Sequence, residues 1–353
     1  MIETWGFYLF PALNPWEGTA VPPESIQASY DAATDLWCKC EKWGFDGLAF
    51  AEHHFNPISL SPSPHLLVAS IAARTKRIKF AIMGSVLALH DARRVAEEVG
   101  MLTYLTRGRF EPGIAPGAGV HEAVLAGLEP SQIRPRYYSG AELLGKALAS
   151  RTVTHQDDFS NLKDVQIVPP PHLHNGQSVW VTAMSPDSAV WTAERGYKMV
   201  TSWTPTPVAA MLAERYRAAA DAAGRTVSPS MLGLRRRVFV ADSDSEAQEK
   251  FEAAKDLVLL MAGQGFETPD ENIKKMMMHP DDFAIGSPKT VAEKLISQCS
   301  AGGYGVLLAL TDFAQFPSEV LARSHELIGL KVAPLLRSAD LGAKAKTKIA
   351  ASA

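Results

Sequence analysis

The sequence predicts an α/β protein built as one (β/α)8 TIM barrel with insertions after the fourth and seventh strands. Eight short apolar or β-branched runs alternate with amphipathic stretches of helical length. Strands separated in this way are parallel, because parallel neighbours need long crossover connections. Eight such units favour a closed barrel over an open sheet, and 353 residues are enough for one barrel with insertions.

The predicted strands and helices follow one another regularly. One helix begins near Ile26 and ends at Gly44, and another is capped by Asp91 and ends near Gly108. Three more helices are predicted at Pro207–Ala223, Ser245–Ala262 and Ser287–Ser300. The eight strands are predicted at Thr4–Phe10, Gly47–His54, Ile78–Ser85, Arg109–Ala115, Ser178–Met184, Lys198–Trp203, Leu232–Ala241 and Tyr304–Leu310.

Two segments interrupt this alternation. Gly117 to about Tyr137 is expected to form a long loop after the fourth strand, and Gln264 to Gly286 an extra stretch after the seventh. Both leave from the C-terminal ends of strands, where barrel active sites lie, and long excursions are usually functional or mobile. No internal repeat or low-complexity linker divides the chain. One domain is therefore expected over residues 1–336, with a solvated tail over 337–353.

Composition excludes several classes of protein. The 35 basic and 38 acidic residues give a formal charge of −3, which leaves no electrostatic footprint for nucleic acid or an anionic membrane. No apolar stretch approaches the ~20 residues of a membrane span. The three cysteines have no zinc-ligand spacing, so a reduced, cytoplasmic protein is expected.

The run Glu52-His53-His54 at the end of the second strand is a candidate for proton chemistry. Because a strand alternates its faces, His53 points the same way as the small residues Ala49 and Ala51, toward the barrel interior. His53 is therefore predicted at the inner rim of the mouth, where it can exchange a proton with a bound ligand. Histidines merely satisfied by neighbouring carboxylates fit the pattern about equally well. No metal site is expected, because Glu52 and His53 diverge and no second ligand cluster appears.

A helix start after the fifth strand is a candidate anion site. Ser185 can cap a helix whose first residue is Pro186, and Ser188 adds a hydroxyl on the same side. Free N–H groups and the helix dipole favour an anion there. The same Ser-Pro opening recurs at Ser287, so a plain helix start is an equally good explanation. Asp187 would have to turn away from the anion.

Several motifs occur in one linked order along the chain. They are Phe45-Asp46 leading into Glu52-His53-His54-Phe55, Arg94-Val95-Ala96-Glu97-Glu98 opening toward Gly108-Arg109-Phe110-Glu111, Ala183-Met184-Ser185-Pro186-Asp187-Ser188, and Gly286-Ser287-Pro288. The series resembles the bacterial luciferase-like, flavin-dependent monooxygenases. Order and spacing agree from about Trp5 to Leu336.

The resemblance implies a role for each matching position. His53 falls on the family histidine beside the flavin, so it is the expected proton-handling residue. Met83-Gly84 falls where relatives have a non-proline cis peptide, although a bulge is nearly as compatible with the sequence. Met184, Ser185 and Ser188 fall on positions that hold the flavin phosphate. The full set of implied cofactor contacts is Glu52, His54, Met83, Gly84, Ala115, Ala183, Met184, Ser185 and Ser188.

One departure from the family pattern concerns the flavin phosphate. Many relatives carry an arginine where this chain has Pro116, and a reactive cysteine where it has Ala115. Arg235, Arg236 and Arg237 on the seventh strand are possible substitutes for that arginine. Ion pairing at the barrel rim is at least as compatible, because three successive strand residues cannot all face one ligand.

Bulky apolar residues are candidates for the substrate side of the pocket. They are Phe7, Phe10, Trp203 and Met277. Met277 belongs to the Met276–Met278 run in the insertion after the seventh strand, where a lid is plausible, although methionines are often core filler.

The function implied by the resemblance is a two-component monooxygenase. Reduced FMN comes from a separate flavin reductase, because no Gly-x-Gly-x-x-Gly fingerprint for a pyridine nucleotide follows a strand. Dioxygen and an aldehyde, a ketone or a similar small molecule are the other reactants. A homodimer through the helix near Asp91–Leu105 is also implied. The alternatives are a deazaflavin-dependent oxidoreductase, a non-catalytic flavin-binding protein and a barrel metallohydrolase.

Overall fold

The structure is a computed structural model of the chain. It describes all residues except 12–22, 56–58, 118–119, 175, 264–274, 276–277, 315 and 342–353, and gives the backbone alone for 259–263. The strands are β1 (Glu3–Tyr8), β2 (Gly47–Phe50), β3 (Lys79–Ile82), β4 (Ser85–Val86), β5 (Phe110–Glu111), β6 (Gly113–Ala115), β7 (Thr152–Gln156), β8 (Asn161–Gln166), β9 (Trp180–Thr182), β10 (Lys198–Thr201), β11 (Leu232–Val240), β12 (Phe283–Gly286) and β13 (Val306–Leu310).

Helices cover the outside of the sheet. They are α1 (Pro23–Trp43), α2 (Pro64–Ala72), α3 (Ala92–Leu105), α4 (Val120–Leu125), α5 (Pro130–Ala149), α6 (Pro186–Glu194), α7 (Thr206–Ala222), α8 (Asp244–Gly263), α9 (Pro288–Gly302), α10 (Ser318–Leu327) and α11 (Ala333–Ser338). A π-helical turn at Ile328–Val332 joins the last two. The predicted helix ends are confirmed at Asp91, whose side chain accepts a hydrogen bond from Arg93 N, and at Gly44, whose φ of 95° suits glycine.

The parallel strands close into a barrel. β3 and β4 are two parts of the third barrel strand, separated by Met83-Gly84, and β5 and β6 are two parts of the fourth, separated by Pro112. The hydrogen-bonded order runs β13-β1-β2-β3-β5 on one side and β4-β6-β9-β10-β11-β13 on the other. All eight predicted strand positions are occupied among the described residues. The predicted (β/α)8 barrel is therefore confirmed.

Strand alternation divides the core into two layers. Ala49 and Ala51 pack inside the barrel in one hydrophobic cluster with Trp5. Leu48 and Phe50 belong to the outer cluster beneath the helices. The predicted faces of the second strand are therefore confirmed, and the small inward residues leave room for large ones from other strands.

The segment after the fourth strand is not the long loop that was expected. It contains α4 and the beginning of α5, which starts at Pro130 with reciprocal capping between Glu129 and Gln132. An antiparallel hairpin of β7 and β8 then follows α5 and was not predicted. His155 in this hairpin is buried, and its Nε2 lies 2.9 Å from Asp157 Oδ2.

The second expected insertion is described only in part. Residues 278–286 contain β12, which extends the sheet by pairing with the end of β11. At the C-terminus, Arg337 bonds to Asp46 and Leu341 is buried, so these residues of the expected tail pack on the barrel. The rest of that tail lies outside the described residues. No helix in the described ranges is both long enough and apolar enough to cross a membrane.

Candidate active site

The predicted site residues lie at one end of the barrel. His53 follows β2, Met83-Gly84 separates β3 from β4, and Ala115 ends β6. Ser185 follows β9, and Trp203 follows β10. Because the strands are parallel, their C-terminal ends form a single rim. The structure therefore brings these residues to the same mouth.

His53 is held by a glutamate that the sequence did not indicate. Its Nδ1 lies 3.0 Å from Oε1 of Glu122, which belongs to α4. The two side chains are 14% and 7% exposed. No partner for His53 Nε2 is found among the described residues.

His54 belongs to a second cluster, centred on Glu52. Oε1 of Glu52 lies 2.9 Å from His54 Nε2 and 2.7 Å from His90 Nε2, and accepts a hydrogen bond from Val86 N at 3.1 Å. Burial alone would raise the pKa of Glu52, but the hydrogen bonds from His54 and His90 outweigh it and hold the pKa at about 2. The hydrogen bond to Glu52 in turn raises the pKa of His90. Glu52 is therefore an ionised anchor.

The same cluster is the one arrangement in the described chain whose ligand atoms could surround a metal ion. The atoms of Glu52, His54 and His90 lie within 4.8 Å of one another. Their contacts of 2.7 and 2.9 Å match N–H···O hydrogen bonds. Ligand atoms of a tetrahedral zinc site would lie about 3.3 Å apart, given zinc–ligand bonds of about 2.0 Å. We therefore interpret the cluster as a hydrogen-bonded network.

The third strand carries the cis peptide that the resemblance implies. The Met83-Gly84 bond is cis, and Met83 packs among the side chains inside the barrel. A Cβ atom on Gly84 would lie 2.5 Å from the backbone nitrogen of Ile114. Glycine is therefore required where the third strand approaches the fourth.

The helix start after β9 has the predicted capping geometry. Ser185 Oγ accepts from Ser188 N at 3.3 Å, Ser188 Oγ accepts from Ser185 N at 3.1 Å, and Pro186 is the first helical residue. Ser185 and Met184 are exposed, while Ala183 is buried. The N-terminus of α6 is thus exposed at the mouth, while the hydroxyls and main-chain N–H groups of Ser185 and Ser188 bond to each other. Asp187 is exposed.

The three consecutive arginines of β11 are not free to bind a phosphate. Nη1 of Arg235 and of Arg237 lie 2.8 Å and 2.7 Å from Asp282 Oδ2, and these three side chains are almost fully buried. Arg236 points the other way and donates to Gln298. Ion pairing, the second of the two sequence interpretations, is therefore confirmed for Arg235 and Arg237.

The proposed substrate-side residues do not all share one environment. Phe7 packs inside the barrel, and Trp203 lies against the guanidinium groups of Arg235 and Arg237, 4.1 and 4.4 Å from the ring centre. Phe10 was misplaced by the sequence analysis. With a φ of 56° it turns into the outer core, where its ring lies 5.1 Å from that of Trp37. Met277 lies outside the described residues.

A buried carboxyl at the end of the last barrel strand was also missed. Asp312 Oδ2 accepts from Phe10 N at 2.7 Å, whereas its Oδ1 is buried without a partner among the described residues. Burial raises the pKa of Asp312 to about 7. The only sequence signal was its position directly after the last predicted strand. His90, beside the predicted cap Asp91, offered a similarly weak signal, and Glu122 lay in a segment expected to be a loop.

The comparison with protein families decides what kind of protein this barrel is. The sequence profile described as luciferase-like monooxygenase matches residues 6–304. The chain belongs to the luciferase-like monooxygenase family. This membership confirms the resemblance carried by the sequence motifs and identifies the protein as an oxidoreductase.

Curated relatives include proteins of known and unknown activity. Uncharacterized protein y4wF of Sinorhizobium fredii (strain NBRC 101917 / NGR234) is 30% identical over 59% of this chain, which spans 61% of that protein, less than two thirds of its length. 2,5-diketocamphane 1,2-monooxygenase 2 of Pseudomonas putida is 24% identical over 82% of this chain and 88% of that protein.

Solved structures share the barrel. The oxygenating constituent of 3,6-diketocamphane monooxygenase of Pseudomonas putida, a type II Baeyer-Villiger enzyme in complex with FMN, has a TM-score of 0.76 at 22% identity, covering 95% of this chain and 98% of that one. An F420-dependent secondary alcohol dehydrogenase has a TM-score of 0.71 at 14% identity, covering 96% and 100%. At these identities the likeness shows the fold alone.

Proposed function

We propose that the protein is a monooxygenase that takes reduced FMN from a separate flavin reductase and uses dioxygen to oxidise a small aldehyde, ketone or similar molecule. The observation that carries the proposal is His53, whose Nδ1 bonds to Glu122 and whose Nε2 has no partner within the part of the chain that the structure describes. The donor set fits a flavin mononucleotide, because an exposed helix N-terminus at the same mouth suits its phosphate. Reduced FMN, when bound, supplies the electrons that activate dioxygen.

The chain's own residues have separate tasks in this proposal. His53 Nε2 exchanges a proton with the reacting molecules, as a general acid or base. Glu52 and His54 hold the end of β2 that carries His53. Met83, Gly84 and Ala115 form the wall of the mouth between the third and fourth strands. Ala183, Met184, Ser185 and Ser188 form the phosphate end.

The arginine missing at Pro116 has a substitute on a neighbouring helix. The ring of Tyr138 on α5 lies 5.6 Å from that of Trp191 on α6, so the two helices pack side by side. Arg134 precedes Tyr138 by one turn and Ser188 precedes Trp191 by nearly one turn, which puts both toward the mouth. Arg134 is exposed and pairs with no acid in the described chain. We assign the phosphate charge to Arg134.

Replacing Arg134 by alanine tests how much the phosphate, as distinct from the flavin ring, contributes to cofactor binding. A charge-assisted hydrogen bond contributes about 1.5–3 kcal/mol, so reduced FMN should bind at least about 10-fold more weakly. Reduced riboflavin, which has no phosphate, should bind equally to both proteins. Arg151→Ala, beyond the other end of α5, is the matched control. Equal FMN affinity in Arg134→Ala contradicts the assignment.

The decisive experiment identifies the cofactor and the reaction together. Purified protein is titrated without oxygen with reduced FMN and, separately, with reduced deazaflavin, and is then exposed to air with a panel of small carbonyl compounds. We expect tight binding of reduced FMN and oxygen-dependent product formation. Preferential binding of the deazaflavin, with hydride transfer and no oxygen consumption, would instead establish the alternative that the F420-dependent structural neighbour supports.

We also propose that two copies of the chain associate through α3. Met101, Tyr104 and Leu105 on this helix are each at least half exposed, and the neighbouring α2 exposes Leu66. Burying this apolar surface in a second copy would stabilise a dimer. Light scattering should give twice the chain mass at micromolar concentration, and Met101→Glu with Tyr104→Glu should give a monomer. Leu330→Glu, an equally exposed site on the π-helical turn, should leave the dimer intact.

A further inference from the structure

Glu122 contacts His53 at the barrel mouth. We propose that it is a positioning residue, whose carboxylate accepts the Nδ1–H of His53 and so keeps Nε2 as the nitrogen that faces the mouth. This role rests on the proposed function of His53 in proton transfer. Nothing in the sequence motifs indicated Glu122, because α4 fell in a segment expected to be a loop.

The geometry favours one arrangement of the imidazole protons. A neutral imidazole can carry its proton on either nitrogen, and the hydrogen bond at one nitrogen decides the state of the other. Nδ1 of His53 lies 3.0 Å from Glu122 Oε1. An ionised carboxylate has no proton to give, so Nδ1 must donate. Nε2 is then free to accept a proton when the ring is neutral.

The burial of Glu122 argues against a purely structural role. Its side chain is 7% exposed, and the bond to His53 is the one hydrogen bond that this side chain makes among the described residues. Its second oxygen is buried without a partner among them. Burying a carboxylate costs several kcal/mol unless it is well paired. An apolar residue would anchor α4 at lower cost.

The position of α4 explains how the carboxylate reaches the mouth. Glu122 and Ala123 face inward, whereas Val120, Val124 and Leu125 are each 52% exposed. A helix of six residues has little stability of its own, so its inward face must be held by contacts with the barrel. The contact between Glu122 and His53 links this helix to the site, 69 residues away along the chain.

The test replaces Glu122 by glutamine, which keeps the size and removes the charge. The amide can either accept from Nδ1–H or donate to Nδ1, so both neutral forms of His53 become populated. We expect kcat to fall about 10- to 100-fold, as when the partner orienting a functional imidazole is lost, with the KM for reduced FMN unchanged. Val124→Gln, on the exposed face of the same helix, should keep full activity.

Two further measurements distinguish a positioning role of Glu122 from a purely structural one. The ring nitrogen chemical shifts of His53, recorded where the ring is neutral, should show the Nδ1–H form in the native protein and a mixture in Glu122→Gln. In a His53→Ala background, Glu122→Gln should cost no further activity, because residues that act as a unit are not additive. Unchanged nitrogen shifts, or losses that simply multiply, would overturn the proposal.

The outcome also separates this inference from the proposed function. Absence of flavin-dependent oxidation by the native protein refutes the proposed function. A fully active native protein whose Glu122→Gln variant keeps both activity and nitrogen shifts refutes the positioning role alone.

Discussion

Two neighbouring histidines at the barrel mouth have opposite kinds of support. His54 bonds to Glu52, a residue of its own strand end, and that carboxylate also binds His90. His53 bonds to Glu122, which a separate helix brings from the far side of the fourth strand. Oε1 of Glu52 is shared by three donors, whereas Oε1 of Glu122 bonds to a single imidazole, and the second oxygen of each carboxylate is buried without a partner among the described residues. We infer that the network around Glu52 stabilises the rim of the barrel, whereas the His53–Glu122 pair keeps Nε2 of His53 for proton transfer.

The largest expected effect concerns Glu52, the carboxylate with three donors. Glu52→Ala leaves the imidazoles of His54 and His90 and the N–H of Val86 without their buried acceptor. We expect the free energy of unfolding to fall by roughly 3 kcal/mol, because breaking a buried, charged network leaves its partners unpaired. Urea denaturation followed by circular dichroism measures it. If the free energy of unfolding fell by less than ~1 kcal/mol, Glu52 would not have the stabilising role that distinguishes it from Glu122.

The next effect concerns the other histidine. His53→Ala should lower the rate of substrate oxidation by at least about 100-fold, as the removal of a general acid or base does. Binding of reduced FMN should survive, because the phosphate end is untouched. Stopped-flow kinetics and an anaerobic titration check the two halves of this statement. Equal activity in the variant eliminates His53 as a catalytic residue.

A smaller effect is the contribution that Glu52 and His90 make to the pH dependence of stability. The lowered pKa of Glu52 gives stability that is present above its unfolded value near 4.5 and is lost as the pH falls toward about 2. The raised pKa of His90 gives stability that is present below its unfolded value near 6.5 and is lost as the pH rises through the folded value.

The two titrations together define a window. Their joint contribution should be greatest between pH of about 4.5 and 6.5, and each group changes the unfolding free energy by at most about 1.4 kcal/mol per pH unit. Denaturation of the native protein and of His90→Gln across this range measures the contribution of His90. If both proteins lose stability equally above pH 6.5, the raised pKa of His90 is not the cause.

The smallest effect tests how much His54 alone contributes to the stability that the Glu52 network provides. His54→Ala should lower the unfolding free energy by about 1 kcal/mol, since His90 and Val86 still bond to Glu52. A loss as large as that of Glu52→Ala would mean that His54, and not the carboxylate, is the centre of the network. The same denaturation experiment compares the two variants directly.

The sequence was sufficient where short-range pattern determines structure. The alternation of Ala49 and Ala51 with Leu48 and Phe50 predicted which face enters the barrel, and the Ser185-Pro186 opening predicted a capped helix. These features depend only on residues that are close together in the chain, so a single sequence is enough to predict them. The cytoplasmic location expected from the spacing of the cysteines stays a prediction.

Long-range pairing was beyond the reach of the sequence. The contact of Glu122 with His53 joins residues far apart in the chain, and α4 is too short for a helical period to be visible. Phe10 was placed wrongly because its left-handed backbone, which no propensity indicates for phenylalanine, turns the ring away from the mouth. The role of Asp312 depends on burial that only the folded chain creates.

The third barrel strand changes how it is joined to the second as it nears the rim. Main-chain pairing between them runs up to the bond from Met83 N to Phe50 O, and beyond that point Val86 N bonds to the carboxylate of Glu52. Where the main-chain hydrogen bonds between the two strands end, the side chain of Glu52 connects them instead. The connection between the second and third strands at the rim therefore depends on the length of one side chain, and aspartate in place of Glu52 should lose the bond to Val86 N while the strand pairing below stays intact.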